Sequence, residues 1–285
     1  MTRDAPQPQR SFIFGCQRSG TTLLRFLFGA HPEVTVVDEA AAYPVLAGRR
    51  ALADILDSVG PTPSGATPPH HVYKVPRLSE QLREERVDDD TYGVFDQFYR
   101  GERSLFTIRD PRDVVASMCT LKASHGQSWI ERYGRVMIEH RLRTRPDALV
   151  DYGDRVETLR RRNWPPHLTA CLYWLIKNEQ LDVYIQAGLP ILPLRYEELV
   201  EAPAAVLQRA CRHLGITWHS NMLQHEQTDH DQLDAQGLAI GASDPRRAID
   251  ASSVGSFRAR LETAVVREVE EWTGDRFRQL RYLAG

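Results

Sequence analysis

One stretch near the start of the chain restricts its fold more than any other. Ser11-Phe12-Ile13-Phe14-Gly15 is β-branched and aromatic, Gly20 follows five positions after Gly15, and after Thr21-Thr22 the apolar residues Leu23, Leu24, Leu27 and Phe28 fall at helical intervals. The pattern predicts a strand, a tight loop and a helix. In such a turn the glycines let the backbone come close to an anion, and the free N–H groups and dipole of the helix start attract it. A turn of the same shape with no ligand is the plainer alternative.

The spacing matches the nucleoside-triphosphate loop G-x-x-x-x-G-K-[ST] except that Thr21 stands where the lysine for the terminal phosphates belongs. Arg18 lies inside the loop instead. An ATP-dependent kinase would therefore lack its main γ-phosphate contact, and it is kept as the rival of another class, beside a non-catalytic nucleotide-binding protein.

The segment Gln17-Arg18-Ser19-Gly20-Thr21-Thr22-Leu23 resembles the 5′-phosphosulfate loop of the sulfotransferases that use 3′-phosphoadenosine 5′-phosphosulfate (PAPS). The resemblance implies that Arg18, Ser19, Gly20, Thr21 and Thr22 bind the cofactor, and that Arg18 also stabilises the group in transfer.

The first helix should stop near Gly29-Ala30-His31-Pro32. Val34 to Val37 then reads as a second strand that delivers Asp38-Glu39 at its C-terminal end, where open parallel sheets bind ligands. On its own, Glu39 reads equally as a carboxylate at the start of a short Ala40-Ala41-Ala42 helix. The run His31-Pro32-Glu33-Val34, Asp38-Glu39 and Pro44 is similar to the segment of tyrosylprotein sulfotransferases that carries the catalytic base. Carried over by position, Glu39 is the base and Asp38 its neighbour. Ala41 and Val45 stand where eukaryotic members carry the arginines that grip acidic peptides, which points away from such a substrate.

A proline- and glycine-rich loop is expected over 58–70, a strand over His71 to Val75, and a helix over about 91–100. Lys74 resembles the family's K-x-P lysine, which contacts the bridging oxygen of the leaving group; a solvated edge position is the plainer reading. Ser104 to Ile108 reads as a core strand ending at Arg109-Asp110-Pro111-Arg112, with Asp110 as helix cap and Pro111 in the first turn. This second strand-turn-helix resembles the 3′-phosphate motif R-D-P-R-x-x-x-x-S, which implies that Arg109 and Ser117 bind the 3′-phosphate.

Residues 123–165 read as arginine-rich helices and loops, a solvated face where acceptor recognition is expected. A long helix opens at Pro165-Pro166 and ends at Gly188, followed by a strand over 190–194. Arg195-Tyr196-Glu197-Glu198-Leu199 resembles a segment that places an aromatic residue near the adenine, hence Tyr196. A helix using Leu207, Ala210, Cys211 and Leu214 stops at Gly215. His225, Asp229, His230 and Asp231 lack the spacing of a metal site. Residues 225–256 are expected to fold over the cofactor. Ser252-Ser253-Val254-Gly255-Ser256-Phe257-Arg258 resembles the family's closing loop with Ser256 in place of a lysine, so Arg247 or Arg258 would supply the charge and Ser253 a further contact. The last helix is expected to bury Phe257, Leu261, Val265, Val269 and Trp272.

The charge balance of 36 basic and 38 acidic residues argues against nucleic acid or an anionic membrane as partner. The start of the chain has no signal-peptide pattern and no apolar run approaches the ~20 residues of a membrane span, so a cytoplasmic protein is expected. Four scattered cysteines read as free thiols. The expected architecture is α/β: residues 1–10 as a loose tail, and 11–285 as one domain with a P-loop-like central parallel sheet flanked by helices. The expected function is transfer of a sulfuryl group from PAPS to a hydroxyl or phenol, first of a small molecule such as a bacterial secondary metabolite and second of a peptide tyrosine. Glu39, Lys74 and Arg18 would be catalytic, adenosine 3′,5′-bisphosphate (PAP) the product, and no metal is required.

Overall fold

The structure, a computed structural model, describes residues 9–39, 41–42, 70–76, 102–121, 127–144, 146–231, 233–239 and 241–283. Val45, residues 58–69 of the loop expected over 58–70 and the helix expected near 91–100 lie outside the described residues, while His70, expected to end that loop, opens a strand.

Among the described residues a five-stranded, all-parallel sheet forms the centre, in the order β2-β3-β1-β4-β5. Its strands are β1 (Gln9–Gly15), β2 (Val34–Val37), β3 (His70–Lys74), β4 (Ser104–Ile108) and β5 (Ile191–Arg195). The chain leaves β1, lays β2 and β3 on one side of it, and crosses to lay β4 and β5 on the other. That reversal makes β1 and β4 neighbours whose C-terminal ends open on a common crevice, where α/β sheets of this kind bind ligands. β1 starts at Gln9, inside the stretch expected as tail, because Gln9 and Arg10 pair with His70 and His71. Pro193, which has no N–H to give, is accommodated in β5 at the edge of the sheet.

Alternation along the strands divides the core. Phe12, Phe14, Tyr73 and Phe106 face one layer of helices: α2 (Pro111–Thr120), α5 (Pro166–Gln186) and α8 (Thr263–Leu283). Ile13, Val72, Leu105 and Leu194 face the other, built from α1 (Thr21–Gly29) and α7 (Pro203–Leu214). The remaining α-helices among the described residues are α3 (Arg135–Thr144), α4 (Gly153–Arg161) and α6 (Tyr196–Glu201). The last helix begins at Thr263, so Phe257 and Leu261 precede it, Phe257 buried in a separate single-turn helix over Ser256–Ala259.

α5 is buried nearly all round, which matches its position between the sheet, α2 and α8. Three of the cysteines are buried and all four are free thiols. Burial pushes the Cys16 thiol up to about 12, so it behaves as a small apolar residue. Among the described residues no helix is long and apolar enough to cross a membrane, and no group of His, Cys, Asp and Glu is arranged to hold a metal ion.

Candidate active site

The loop between β1 and α1 is shaped by close packing. Gly15 has φ +131°, and a Cβ there would lie 2.5 Å from the Thr107 carbonyl oxygen of β4. Gly20, with φ +93°, caps α1, and a Cβ on it would meet the Tyr196 ring at 2.6 Å. Between them Arg18 adopts φ +70°, a conformation L-residues avoid unless their surroundings impose it. The Ser19 N–H closes the turn on the Cys16 carbonyl at 3.1 Å. α1 has no side-chain cap and no acidic residue in its first turn, and its leading residues Gly20, Thr21 and Thr22 line the crevice.

Two arginines converge there. Arg18 donates from Nε to Ser117 Oγ at 2.9 Å and from Nη1 to the Gly241 carbonyl at 2.8 Å. Arg109, at the end of β4, donates to the Arg18 carbonyl at 2.9 Å and the Ser253 carbonyl at 2.6 Å, with its guanidinium 4.2 Å from the Tyr196 ring centre. Every one of these partners is neutral. Burial, and then the nearby charges of Arg109 and Arg260, bring the Arg18 guanidinium down to about 10. Arg109 Nε and Ser19 Oγ are buried with no hydrogen-bond partner among the described residues. Uncompensated cations and unmet donors together suit a ligand carrying several negative charges.

These groups border a cleft of about 260 Å³, lined also by Thr21, Thr22, Arg247 and Ser253. Its back wall is Phe26, on which the His225 ring stacks at 5.7 Å. Burial pushes His225 down to about 4, so its imidazole is neutral. Arg247 reaches the rim on an exposed ion pair with Asp250 at 2.7 Å. Arg258 does not line the cleft: its guanidinium lies 4.8 Å from the Phe257 ring and turns back on the Gly255 carbonyl. Charge alone had suggested it, but the helical turn at Ser256–Ala259 directs it outward.

The residue that holds this segment is Asp113, in the first turn of α2. It accepts the N–H groups of Gly255 and Phe257 at 2.8 and 2.9 Å and the Ser256 hydroxyl at 3.2 Å. Reading the sequence missed it, because Asp113 occupies one of the unspecified positions between Arg112 and Ser117. The place of the family's lysine is thus taken by a serine that anchors the loop on a carboxylate.

A second cavity, of about 110 Å³, opens on the other side of the loop. Glu39, Lys74, Pro76, Leu121 and Trp129 line it, and it shares Arg18, Thr21 and Thr22 with the first cleft. Glu39 is delivered by the end of β2, where the Asp38 carbonyl accepts the N–H groups of Ala41 and Ala42 and starts a short helical turn. Asp38 Oδ1 accepts the Glu39 N–H at 2.6 Å and lies 3.1 Å from Lys74 Nζ. Lys74 Nζ is 4.0 Å from Glu39 Oε2. Lys74 is 2% exposed on an interior strand, not solvated at an edge. Trp129 packs edge-on against Tyr173, whose hydroxyl donates to Gln17 Oε1 at 2.9 Å, and Lys177 donates to the Pro76 carbonyl at 2.6 Å. None of Trp129, Tyr173 and Gly241 carried a motif that would have marked it.

Against known proteins, the sulfotransferase domain model matches residues 8–281. Protein-tyrosine sulfotransferase 2 of Gallus gallus is 24% identical over 230 residues, covering 76% of this chain and 53% of the relative. The chain spans about half the length of the curated relatives it matches. Among solved structures, the sulfotransferase domain from the curacin biosynthetic pathway superposes with a TM-score of 0.57 at 15% identity, covering 95% of this chain and 99% of that one. Mouse sulfotransferase SULT7A1 complexed with PAP gives 0.53 at 14% identity, covering 97% and 89%. At such identities the superpositions speak to the fold.

Proposed function

The chain belongs to the sulfotransferase domain family, and on that premise we propose that it moves a sulfuryl group from PAPS to the hydroxyl or phenol of a small acceptor. The observation that carries this reading is the shared wall: the cationic cleft and the cavity bearing Glu39 and Lys74 meet at Arg18, Thr21 and Thr22. A donor held on one side would present its reacting end to an acceptor on the other.

In this reading Arg109, Ser117 and Ser253 hold the 3′-phosphate end of PAPS, Tyr196 borders the adenine, and Arg18, Ser19, Gly20, Thr21 and Thr22 hold the 5′-phosphosulfate. Arg247 closes the rim. Bound PAPS supplies the sulfuryl group and a phosphate leaving group. Glu39 accepts the proton of the acceptor hydroxyl, a contribution worth roughly 10²–10⁴ in rate. Lys74, Arg18 and the N–H groups at the start of α1 face the region where negative charge grows, and they oppose it without reorganising. Leu121 and Trp129 give the acceptor cavity apolar walls, which favours a phenol or other small hydroxyl compound. Ala41 stands where an acidic-peptide enzyme would carry an arginine, which supports the same choice.

A peptide tyrosine is the second reading, favoured by what the curated relatives are named for. Incubation with PAPS and a panel of phenols, sugar alcohols and tyrosyl peptides, with sulfated product and PAP both measured, tests the two together. Turnover of phenols above peptides is expected. The absence of PAP binding by calorimetry would overturn the whole reading, and exclusive turnover of peptides would replace the first acceptor class by the second.

A further inference from the structure

Arg25 is used by neither cavity, yet it is among the most buried charges of the protein, at 2% exposure. It lies one helical turn after Thr21 on α1, so the face that presents Thr21 to the crevice also carries Arg25, directed at the end of β2. Its Nε is 3.1 Å from Asp38 Oδ2, and its Nη2 donates to the backbone carbonyl of Asp231 and, at 3.3 Å, reaches that residue's carboxylate. The other oxygen of Asp38 meets Lys74 Nζ and the Glu39 N–H. One buried carboxylate therefore stands between two cations and is bonded to the backbone of the proposed base.

Such a cluster is costly to desolvate, and an apolar side chain would fill the same helix face at less expense. What the charges supply is geometry. We propose that Arg25 and Asp38 are positioning residues: Arg25 locks the Asp38 carboxylate, and Asp38 sets where the Lys74 ammonium and the Glu39 backbone stand at the acceptor cavity. The inference rests on the reading of Glu39 and Lys74 given above and deepens it. Arg25 suits the task because its planar fork reaches Asp38 from one nitrogen and Asp231 from another, two directions a lysine ammonium cannot serve as well. Without Arg25, the Asp38 carboxylate would lose the cation on its Oδ2 side, and its pull on Lys74 would draw the ammonium away from the cavity. Without the charge of Asp38, Arg25 would turn to Asp231 and Lys74 to the more distant Glu39 carboxylate, and both would leave their places.

The test uses the full chain and the variants Arg25→Met, Arg25→Lys and Asp38→Asn, each checked for folding by circular dichroism. The chain has three lysines, Lys74, Lys122 and Lys177, so selective 15Nζ labelling gives a readout that needs no turnover. In Arg25→Met and Asp38→Asn the Lys74 resonance should shift or vanish while that of Lys177 stays in place. With PAPS and an accepted substrate, kcat should fall about 10- to 100-fold for a misplaced group. KM for PAPS and the affinity for PAP should stay within about threefold, and Arg25→Lys should recover part of the loss. An unmoved Lys74 resonance in both variants overturns the proposal, as does a fall in PAP affinity equal to the fall in turnover. Should Arg25→Met fail to fold, Asp38→Asn and Arg25→Lys carry the test. If the wild-type chain turns over no acceptor while the Lys74 resonance moves as expected, the reaction assignment fails and the positioning stands.

Discussion

At the ends of β1 and β4, Arg18 and Arg109 are held by carbonyls, a serine hydroxyl and a tyrosine ring, whereas at the ends of β2 and α1's inner face, Lys74 and Arg25 converge on the carboxylate of Asp38. Both pairs are cationic, and of the four only Arg18 is half-buried rather than buried. The first keeps its charge uncompensated, so an incoming polyanion would complete its electrostatics. The second is already compensated, so its order exists before any ligand arrives. A buried cation's role can thus be read from what neutralises it: neutral partners mark a group kept for a ligand, and a carboxylate marks a group kept in place.

The sharpest test of this contrast is chemical. Glu39→Gln keeps the shape of the acceptor side and removes its proton acceptor, so kcat should collapse by about 10²–10⁴ while PAP binds as before; retention of full turnover would remove Glu39 from the mechanism. Next come the two cation pairs. Arg109→Met should weaken PAP by about 10²-fold in calorimetry, from charge-assisted bonds worth about 1.5–3 kcal/mol each, with the unfolding midpoint in denaturant little changed. Asp38→Asn should do the reverse, costing about 3–5 kcal/mol of stability by removing the buried carboxylate that Arg25 and Lys74 share, with PAP affinity nearly intact. If the two variants behaved alike, the distinction would be broken.

Asp113→Asn probes the donor side more gently. Exchanging one acceptor oxygen for a donor loosens the Gly255–Phe257 turn and with it Ser253, and PAP affinity should drop about tenfold on the scale of one charged hydrogen bond. The smallest effect comes from acid and touches both sides. His70, hydrogen-bonded to Ser11 at the start of the Lys74 strand, and His225, in the cleft wall, are each pushed down by burial to about 4 from an ordinary 6.5. The unfolded chain therefore binds more protons between those values, so stability is complete above 6.5 and drains away as pH falls toward 4. At pH 6 the linkage amounts to about 1 kcal/mol for each histidine, and His70→Gln or His225→Gln should flatten the pH dependence of the melting temperature.

Much of the donor side could be read without coordinates. The alternation that ends at Gly15, the glycine pair around Arg18 and the strand-proline-helix junction at Arg109 are local patterns, and local patterns are what a sequence displays. Tyr196, singled out by resemblance, stands against Gly20 and Arg109. Arg25 was invisible because a helical arginine next to Phe26 reads as ordinary filler, and its partner Asp231 lies 206 positions away. Arg18 likewise finds the Gly241 carbonyl across 223 positions. Arg258 was singled out by charge, whereas the turn that aims it at Phe257 and the Gly255 carbonyl, and the anchoring of that turn by Asp113 from an unspecified position of a motif, are set by the fold. Contacts set by the return of the chain across the sheet leave no periodicity to detect.

The cationic cleft draws much of its wall from residues 18 to 26 and from residues 242 to 253, that is, from chain made early and chain made late. During synthesis the loop after β1 leaves the ribosome with Arg18 long before the strap that closes over it. A nascent chain could therefore touch nucleotide but not retain it, and tight capture would begin only once the segment anchored on Asp113 has left the ribosome.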